Sequence, residues 1–202
     1  MKTLIIVDVQ NDFLPGGALA VPGGDEVIPV INRVQDRFGL VVATQDWHPA
    51  GHGSFASAHS GKVPFDKTEL FGLEQVLWPD HCVQGTRGAD LCPALLSGRI
   101  EAIFRKGTDP RIDSYSGFYD NGHRKRTGLA GYLRDKGVTE IVVTGLAGDF
   151  CVYYTVMDAL EEGFRVTLLG DACRPIDAQQ YENRKRDIVR KGGVIAGSEE
   201  VL

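Results

Sequence analysis

Short apolar runs alternate along the chain with segments whose apolar residues recur every three or four positions. The short runs suit strands buried on both faces, and the periodic segments suit helices packed across them. The pattern predicts strands over residues 4–9, 40–44, 100–104, 140–144, 165–169 and 193–195. Between them, Val27, Val30, Ile31, Val34 and Phe38 share a helical face, with Asp25 placed to cap it and Gly39 to stop it. Val152, Val156, Ala159 and Leu160 form a second such face that ends at Gly163, and residues 127–136 and 178–191 complete the helical set. Strand and helix in alternation are the signature of βαβ units. The expected fold class is α/β, a three-layer α/β/α arrangement around a six-stranded, mostly parallel Rossmann-like sheet.

Residues 47–89 break the rhythm. This stretch is long, rich in Gly, His and Pro, and only weakly periodic. A segment of that length without regular structure inside a compact domain is usually functional.

Composition narrows the function classes. The 202 residues suit one domain, 1–202, large enough to bury a core without disulfide or metal staples. Hydrophobic residues make up 43% and charged residues 24%, as in a soluble globular protein. A net charge of -5 argues against a nucleic-acid surface, and the basic clusters at 124–126 and 184–186 lack interleaved aromatics. No segment approaches the roughly 18 apolar residues of a membrane span. Leu4-Ile5-Ile6-Val7 is cut short by Asp8, so it reads as a buried strand rather than a signal peptide. Cys82, Cys92, Cys151 and Cys173 show no CxxC pairing, which fits free thiols in a cytoplasmic protein.

Ligands of open parallel sheets bind beyond the carboxyl ends of the strands. Those ends are rich in chemistry here: Asp8 after the first strand, Asp46 and His48 after the second, Lys106 after the third, and Cys151 after the fourth. Cys151 falls at a predicted helix start, where unpaired N–H groups and an ammonium from Lys106 would favour the thiolate. Asp8 could accept its proton and later pass it to a leaving amine. Taken singly, Cys151 reads better as a small buried hydrophobe and Lys106 as a solvated cation, and Asp8 could be a turn-capping carboxylate. Their convergence at strand ends favours the chemical reading.

Asp46 and His48 lie two apart, so in extended backbone they point the same way and could share one ion. His52 and His81 follow. Histidine and aspartate donors suit zinc, iron or manganese, and three protein ligands leave positions open. His81 is the stronger third ligand, since His52 could equally be a loop histidine.

Five ordered blocks then resemble nicotinamidases, within the isochorismatase-like hydrolase superfamily. They are Leu4-Ile5-Ile6-Val7-Asp8-Val9-Gln10-Asn11-Asp12-Phe13, Gln45-Asp46-Trp47-His48-Pro49, Trp78-Pro79-Asp80-His81-Cys82-Val83, Phe104-Arg105-Lys106-Gly107 and Gly145-Leu146-Ala147-Gly148-Asp149-Phe150-Cys151-Val152. Asp113-Ser114-Tyr115-Ser116-Gly117-Phe118 is similar to the family's substrate-pocket segment. The resemblance implies a triad of Asp8 as base and then acid, Lys106 as electrostatic support and Cys151 as nucleophile. It implies one divalent metal, zinc with iron or manganese as alternatives, on Asp46, His48 and His81, facing the ring nitrogen of nicotinamide. It further implies a cis peptide at Leu146-Ala147, an oxyanion hole from the N–H groups of Ala147 and Cys151, and a pyridine ring held by Phe13, Trp78 and Tyr115.

One position departs from the family pattern: glycine stands at 148, where threonine is usual. The implied reaction is hydrolysis of nicotinamide to nicotinate and ammonia through a cysteine thioester, in NAD salvage, with pyrazinamide as a related substrate. The expected partner is a small molecule, with neither nucleic acid nor membrane, and the chain could form a homo-oligomer. A related amidase acting on a carbamoyl or ureido compound is the first alternative, and the metal set argues against it. A non-catalytic metal- or redox-sensing thiol protein is the second, and it would need neither Lys106 nor the pocket aromatics.

Overall fold

The computed structural model describes residues 1–201. A six-stranded sheet runs in the spatial order β5-β2-β1-β6-β7-β8, with every neighbouring pair parallel. Its strands are β1 (Lys2–Val7), β2 (Leu40–Asp46), β5 (Ile100–Lys106), β6 (Glu140–Leu146), β7 (Arg165–Arg174) and β8 (Val194–Ala196). Four helices connect them: α1 (Val27–Val34), α2 (Leu129–Asp135), α3 (Tyr153–Glu161) and α4 (Ala178–Arg190). Among the described residues no helix is long and apolar enough to cross a membrane.

Three layers follow from alternation along the buried strands. Leu4 and Ile6 of β1 face one core with Val27, Ile31 and Val34 of α1. Ile5 and Val7 face the other, with Leu129 and Leu133 of α2, Val156 of α3 and Ile188 of α4. Both sets of β1 side chains are fully buried. Each large aliphatic side chain so buried contributes roughly 1.5–3 kcal/mol over its exposed state, so the two cores fix which way every strand faces.

The chain builds outward from β1 through β2 to β5, then returns to the other side of β1 for β6. The loops after β1 and β6 therefore diverge, opening a crevice at the carboxyl end of the sheet. Asp8 and Cys151 stand on its two sides.

Several boundaries differ from the sequence reading. β1 stops at Val7 because Asp8 has a left-handed backbone, φ 48. Asp25 makes no capping bond: it lies inside a 3-10 turn, Gly24–Glu26, that precedes α1. Phe38 is buried but extended, beyond a second 3-10 turn. The weakly periodic stretch 47–89 holds an antiparallel hairpin, β3 (Lys67–Leu70) with β4 (Leu73–Val76). Its strands are mostly polar and partly exposed, so they carry little hydrophobic alternation to read.

Candidate active site

Asp8 is fully buried, and Thr44 of β2 donates its hydroxyl to Asp8 Oδ1 at 2.6 Å. That bond leaves Oδ2 turned to the buried ammonium of Lys106, 2.9 Å away. Lys106 Nζ donates to Asp46 Oδ1 at 3.1 Å, to the carbonyl of Ser114 at 2.9 Å and to Cys151 Sγ at 3.4 Å. An ammonium carries three protons, and Asp8 Oδ2, Asp46 Oδ1, the Ser114 carbonyl and Cys151 Sγ share them.

Lys106 ends the edge strand β5, three positions across the sheet from β6. The strands of Lys106 and Cys151 are thus not neighbours, contrary to the sequence reading. Two features close the gap: the long lysine stem and a single π-turn, Gly148–Val152, between β6 and α3. In that turn Val152 donates to the carbonyl of Ala147 at 3.1 Å, five residues back, carrying Cys151 over the sheet. The Leu146–Ala147 peptide before it is cis.

Electrostatics correct a further expectation. Burial pushes the Cys151 thiol well above its ordinary value; Lys106 opposes this, while Asp8 and Asp46 reinforce it. Burial thus favours the thiol, against the thiolate that the helix-start argument anticipated. Desolvation of a fully buried sulfur outweighs one ammonium already shared with two carboxylates. Burial also raises the Asp8 carboxyl, against the pull of Lys106. Burial would lower Lys106, but Asp46 and Asp8 outweigh it and hold the ammonium well above its ordinary value.

Asp46, His48 and His81 converge beside this cluster, with one ligand atom of each within 4.8 Å of the others. His48 Nε2 is 3.0 Å and His81 Nε2 3.4 Å from Asp46 Oδ2. The outer nitrogens are anchored: His48 Nδ1 lies 2.9 Å from the carbonyl of Gly107, and His81 Nδ1 2.7 Å from that of Pro79. A carbonyl only accepts, so each Nδ1 carries a proton and each Nε2 is the nitrogen turned toward Asp46. With both Nε2 atoms deprotonated, two imidazole lone pairs and a carboxylate would converge on one point, the donor arrangement of a divalent cation. Asp46 answers to the same field: burial pushes it up, but His48 and Lys106 outweigh that and hold it well below the usual carboxylate range. The donor set therefore fits a divalent ion. Gly107 is needed for the approach, since a Cβ there would lie 2.5 Å from His48 Cε1.

His52 stands apart from the ion-binding set. Its Nδ1 accepts from the Ser54 N–H at 3.1 Å, and its Nε2 donates to the Asp109 carbonyl at 2.8 Å. Both nitrogens are occupied in holding the loop.

One cavity touches both clusters. Cys151 and Ala147, Asp46 and His81, and the aromatic rings of Phe13, Trp78 and Tyr115 all line it. Leu19, Asp113, Phe150 and Ile176 complete the wall. The Phe150 ring meets Trp78 edge-on at 4.9 Å between centroids, and Trp78 Nε1 donates to the Tyr115 hydroxyl at 3.3 Å. Asp113 opens the block that resembles a substrate-pocket segment, while nothing in the spacing of Phe150 pointed to a cavity.

Two supporting residues also escaped the sequence reading. Gln10 clamps the backbone of Asp46, its amide donating to the Asp46 carbonyl and its oxygen accepting from the Asp46 N–H, both at 2.8 Å. Asp12 Oδ2 accepts from the Cys82 N–H at 2.7 Å and so tethers the loop bearing His81. Their place directly after Asp8 was the available signal.

The chain belongs to the isochorismatase family: the Isochorismatase domain matches residues 2–200. It is 50% identical over 186 residues to the nicotinamidase of Escherichia coli (strain K12), covering 90% of this chain and 87% of that protein. It resembles the solved nicotinamidase/pyrazinamidase of Acinetobacter baumanii with a TM-score of 0.97 at 45% identity, covering 100% of this chain and 98% of that one. A Pyrococcus horikoshii pyrazinamidase solved in complex with zinc matches with a TM-score of 0.81 at 38% identity, over 97% of this chain and 98% of that one.

Proposed function

We propose that this chain is a nicotinamidase, hydrolysing nicotinamide to nicotinate and ammonia, with Asp8, Lys106 and Cys151 carrying the chemistry. One observation carries the reading: a single aromatic-walled cavity reaches both the Cys151 sulfur and the Asp46–His81 side of the ion-binding set. A substrate that fits has an amide at one end of a flat ring and a lone-pair nitrogen at the other. The similarity to nicotinamidases supports the same substrate class.

In this mechanism Asp8 Oδ2, the carboxylate oxygen that faces Lys106, takes the thiol proton as the sulfur attacks the amide carbon. Lys106 stays protonated and balances the charge that develops on sulfur. The N–H groups of Ala147 and Cys151 hold the oxyanion, each such donor being worth roughly 2.7–4 kcal/mol. Asp8 returns the proton to the amide nitrogen, the C–N bond breaks, and ammonia leaves a thioester. Asp8 then takes a proton from water, the hydroxyl adds to the thioester carbon, and the C–S bond breaks to release nicotinate and regenerate the thiol. Phe13, Trp78 and Tyr115 exclude water from the ring.

Asp46, His48 and His81 would hold the divalent ion, and zinc is our assignment, supported by the zinc-bound pyrazinamidase relative. When bound it supplies a Lewis acid for the ring nitrogen, a template role. Pyrazinamide, with a ring nitrogen in the same place, would be a second substrate. Four free cysteines suit a reducing cytoplasm.

The test is ammonia release from nicotinamide and from benzamide, which lacks the ring nitrogen. The proposal expects turnover of nicotinamide and a kcat/KM for benzamide lower by tenfold or more. Equal turnover of both would remove the ring nitrogen from recognition, and no ammonia from either would remove the function.

A further inference from the structure

The turn that carries Cys151 is gripped by the start of α4. Asp149, two residues before the thiol, is fully buried. Its carboxylate accepts from the N–H of Ile176 at 2.9 Å and of Asp177 at 2.8 Å. Asp177 in turn caps α4, accepting from the Gln180 N–H at 2.8 Å. At the next residue the helix returns to the turn: Tyr181 donates its N–H to the Asp177 carbonyl at 3.0 Å, and its ring lies against Gly148.

The contact with Gly148 is unusually close. A Cβ built on Gly148 would stand 2.8 Å from Tyr181 Cε2, 3.0 Å from Cζ and 3.1 Å from Cδ2. Carbon atoms in contact sit about 3.5–4.0 Å apart. The ring therefore fills the volume that any larger residue at 148 would need. Tyr181 is 5% exposed, and its hydroxyl is buried beside the Cys173 thiol. The contact with Gly148 is made by the ring carbons and not by the hydroxyl.

Gly148 opens the π-turn, and its neighbours Ala147 and Cys151 supply the two N–H groups assigned to the oxyanion. Glycine brings wide backbone freedom. Oxyanion donors must lie about 2.7–3.1 Å from the position the oxyanion will occupy. Something outside the turn must supply that constraint.

We propose that Tyr181 is a positioning residue for the reaction: its ring substitutes for a side chain at residue 148 and, with the Asp149 bonds, holds the Cys151 turn in its working geometry. The proposal rests on the amidase reading above. It makes residues 148 and 181 one packing unit, so substitutions at the two must be strongly coupled.

The experiment is a double-mutant cycle of Gly148→Ala and Tyr181→Ala, read as kcat and KM for nicotinamide. Gly148→Ala should lower kcat at least tenfold with KM within twofold, because the new methyl drives into the ring and displaces the turn. Tyr181→Ala should lower kcat three- to tenfold, and Tyr181→Phe, which keeps the ring, should restore that loss. The double variant should return to the level of Tyr181→Ala alone, since its smaller neighbour admits the methyl. Alkylation of Cys151 by iodoacetamide at alkaline pH, mapped by peptide mass, reads the same coupling without substrate. If wild-type protein released no ammonia, the amidase reading would fail while the alkylation cycle still judged the packing unit. Independent, multiplicative effects of the two substitutions in both readouts would overturn the proposal, as would full activity in Gly148→Ala or failure of Tyr181→Phe to restore kcat.

Discussion

The ammonium of Lys106 lies 3.4 Å from the sulfur of Cys151, with both side chains buried. The same ammonium contacts Asp8 and Asp46. It therefore joins the acid–thiol pair to the ion-binding set, and its loss should damage both.

Lys106→Met keeps the stem and deletes the charge. Two carboxylates then remain buried without their cation, and removing one partner of such a pair destabilises by roughly 3–5 kcal/mol. The expected result is a clear drop in Tm together with a kcat loss of about 100-fold or more, on the scale of removing one electrostatic stabiliser. Lys106→Arg should not rescue activity, because a planar guanidinium cannot serve three convergent acceptors as an ammonium does. Thermal melts and steady-state kinetics on the two variants check this.

Metal removal should act mainly on binding. Elemental analysis should find one divalent ion per chain, lost on chelation and regained with zinc together with activity. Asp46→Asn or His81→Ala should empty the site and raise KM for nicotinamide by about tenfold or more, equivalent to ~1.4 kcal/mol of lost recognition. A chelated enzyme with unchanged KM would contradict the template role.

The thiol sets a pH prediction. Burial raises Cys151 above its ordinary value, so at neutral pH the sulfur is protonated. In chelator-treated protein, iodoacetamide alkylation of Cys151 should keep rising with pH beyond about 8.5, the usual thiol midpoint. A rate already level at neutral pH would show a resting thiolate.

Asp8 sets the acid side. It must be ionised to take the thiol proton, and burial raises its carboxyl above the ordinary range. Activity should therefore fall as pH drops through a midpoint above about 3.9, the unperturbed aspartate value. The acid limb of kcat/KM reports this group in the free enzyme, and Asp8→Asn should remove the activity it governs.

Much of this site was legible because strand ends are legible. An apolar run that stops at Asp8, Asp46 or Lys106 marks the carboxyl edge of a parallel sheet, and the edge is where chemistry collects. The sequence reading missed quantities that depend on distance through space. The π-turn that carries Cys151 looks in sequence like the first turn of α3. The net effect on the thiol depends on how much water surrounds it, and spacing carries no record of that. Gln10 and Asp12 act through backbone groups of residues 46 and 82, far along the chain. The β3–β4 hairpin escaped because a polar surface hairpin buries too little to pattern its residues. Gly148 looked like an unexplained departure, and the ring of Tyr181 supplies its physical reason.

The central claim is that Cys151 forms the bond to the substrate. Its most direct test is mass spectrometry of enzyme quenched in acid during turnover of nicotinamide. The account predicts a nicotinoyl thioester on the peptide containing Cys151, absent from Cys151→Ala, which should release no ammonia. Nicotinate formed at the wild-type rate by Cys151→Ala, with no adduct on the wild-type peptide, would contradict it.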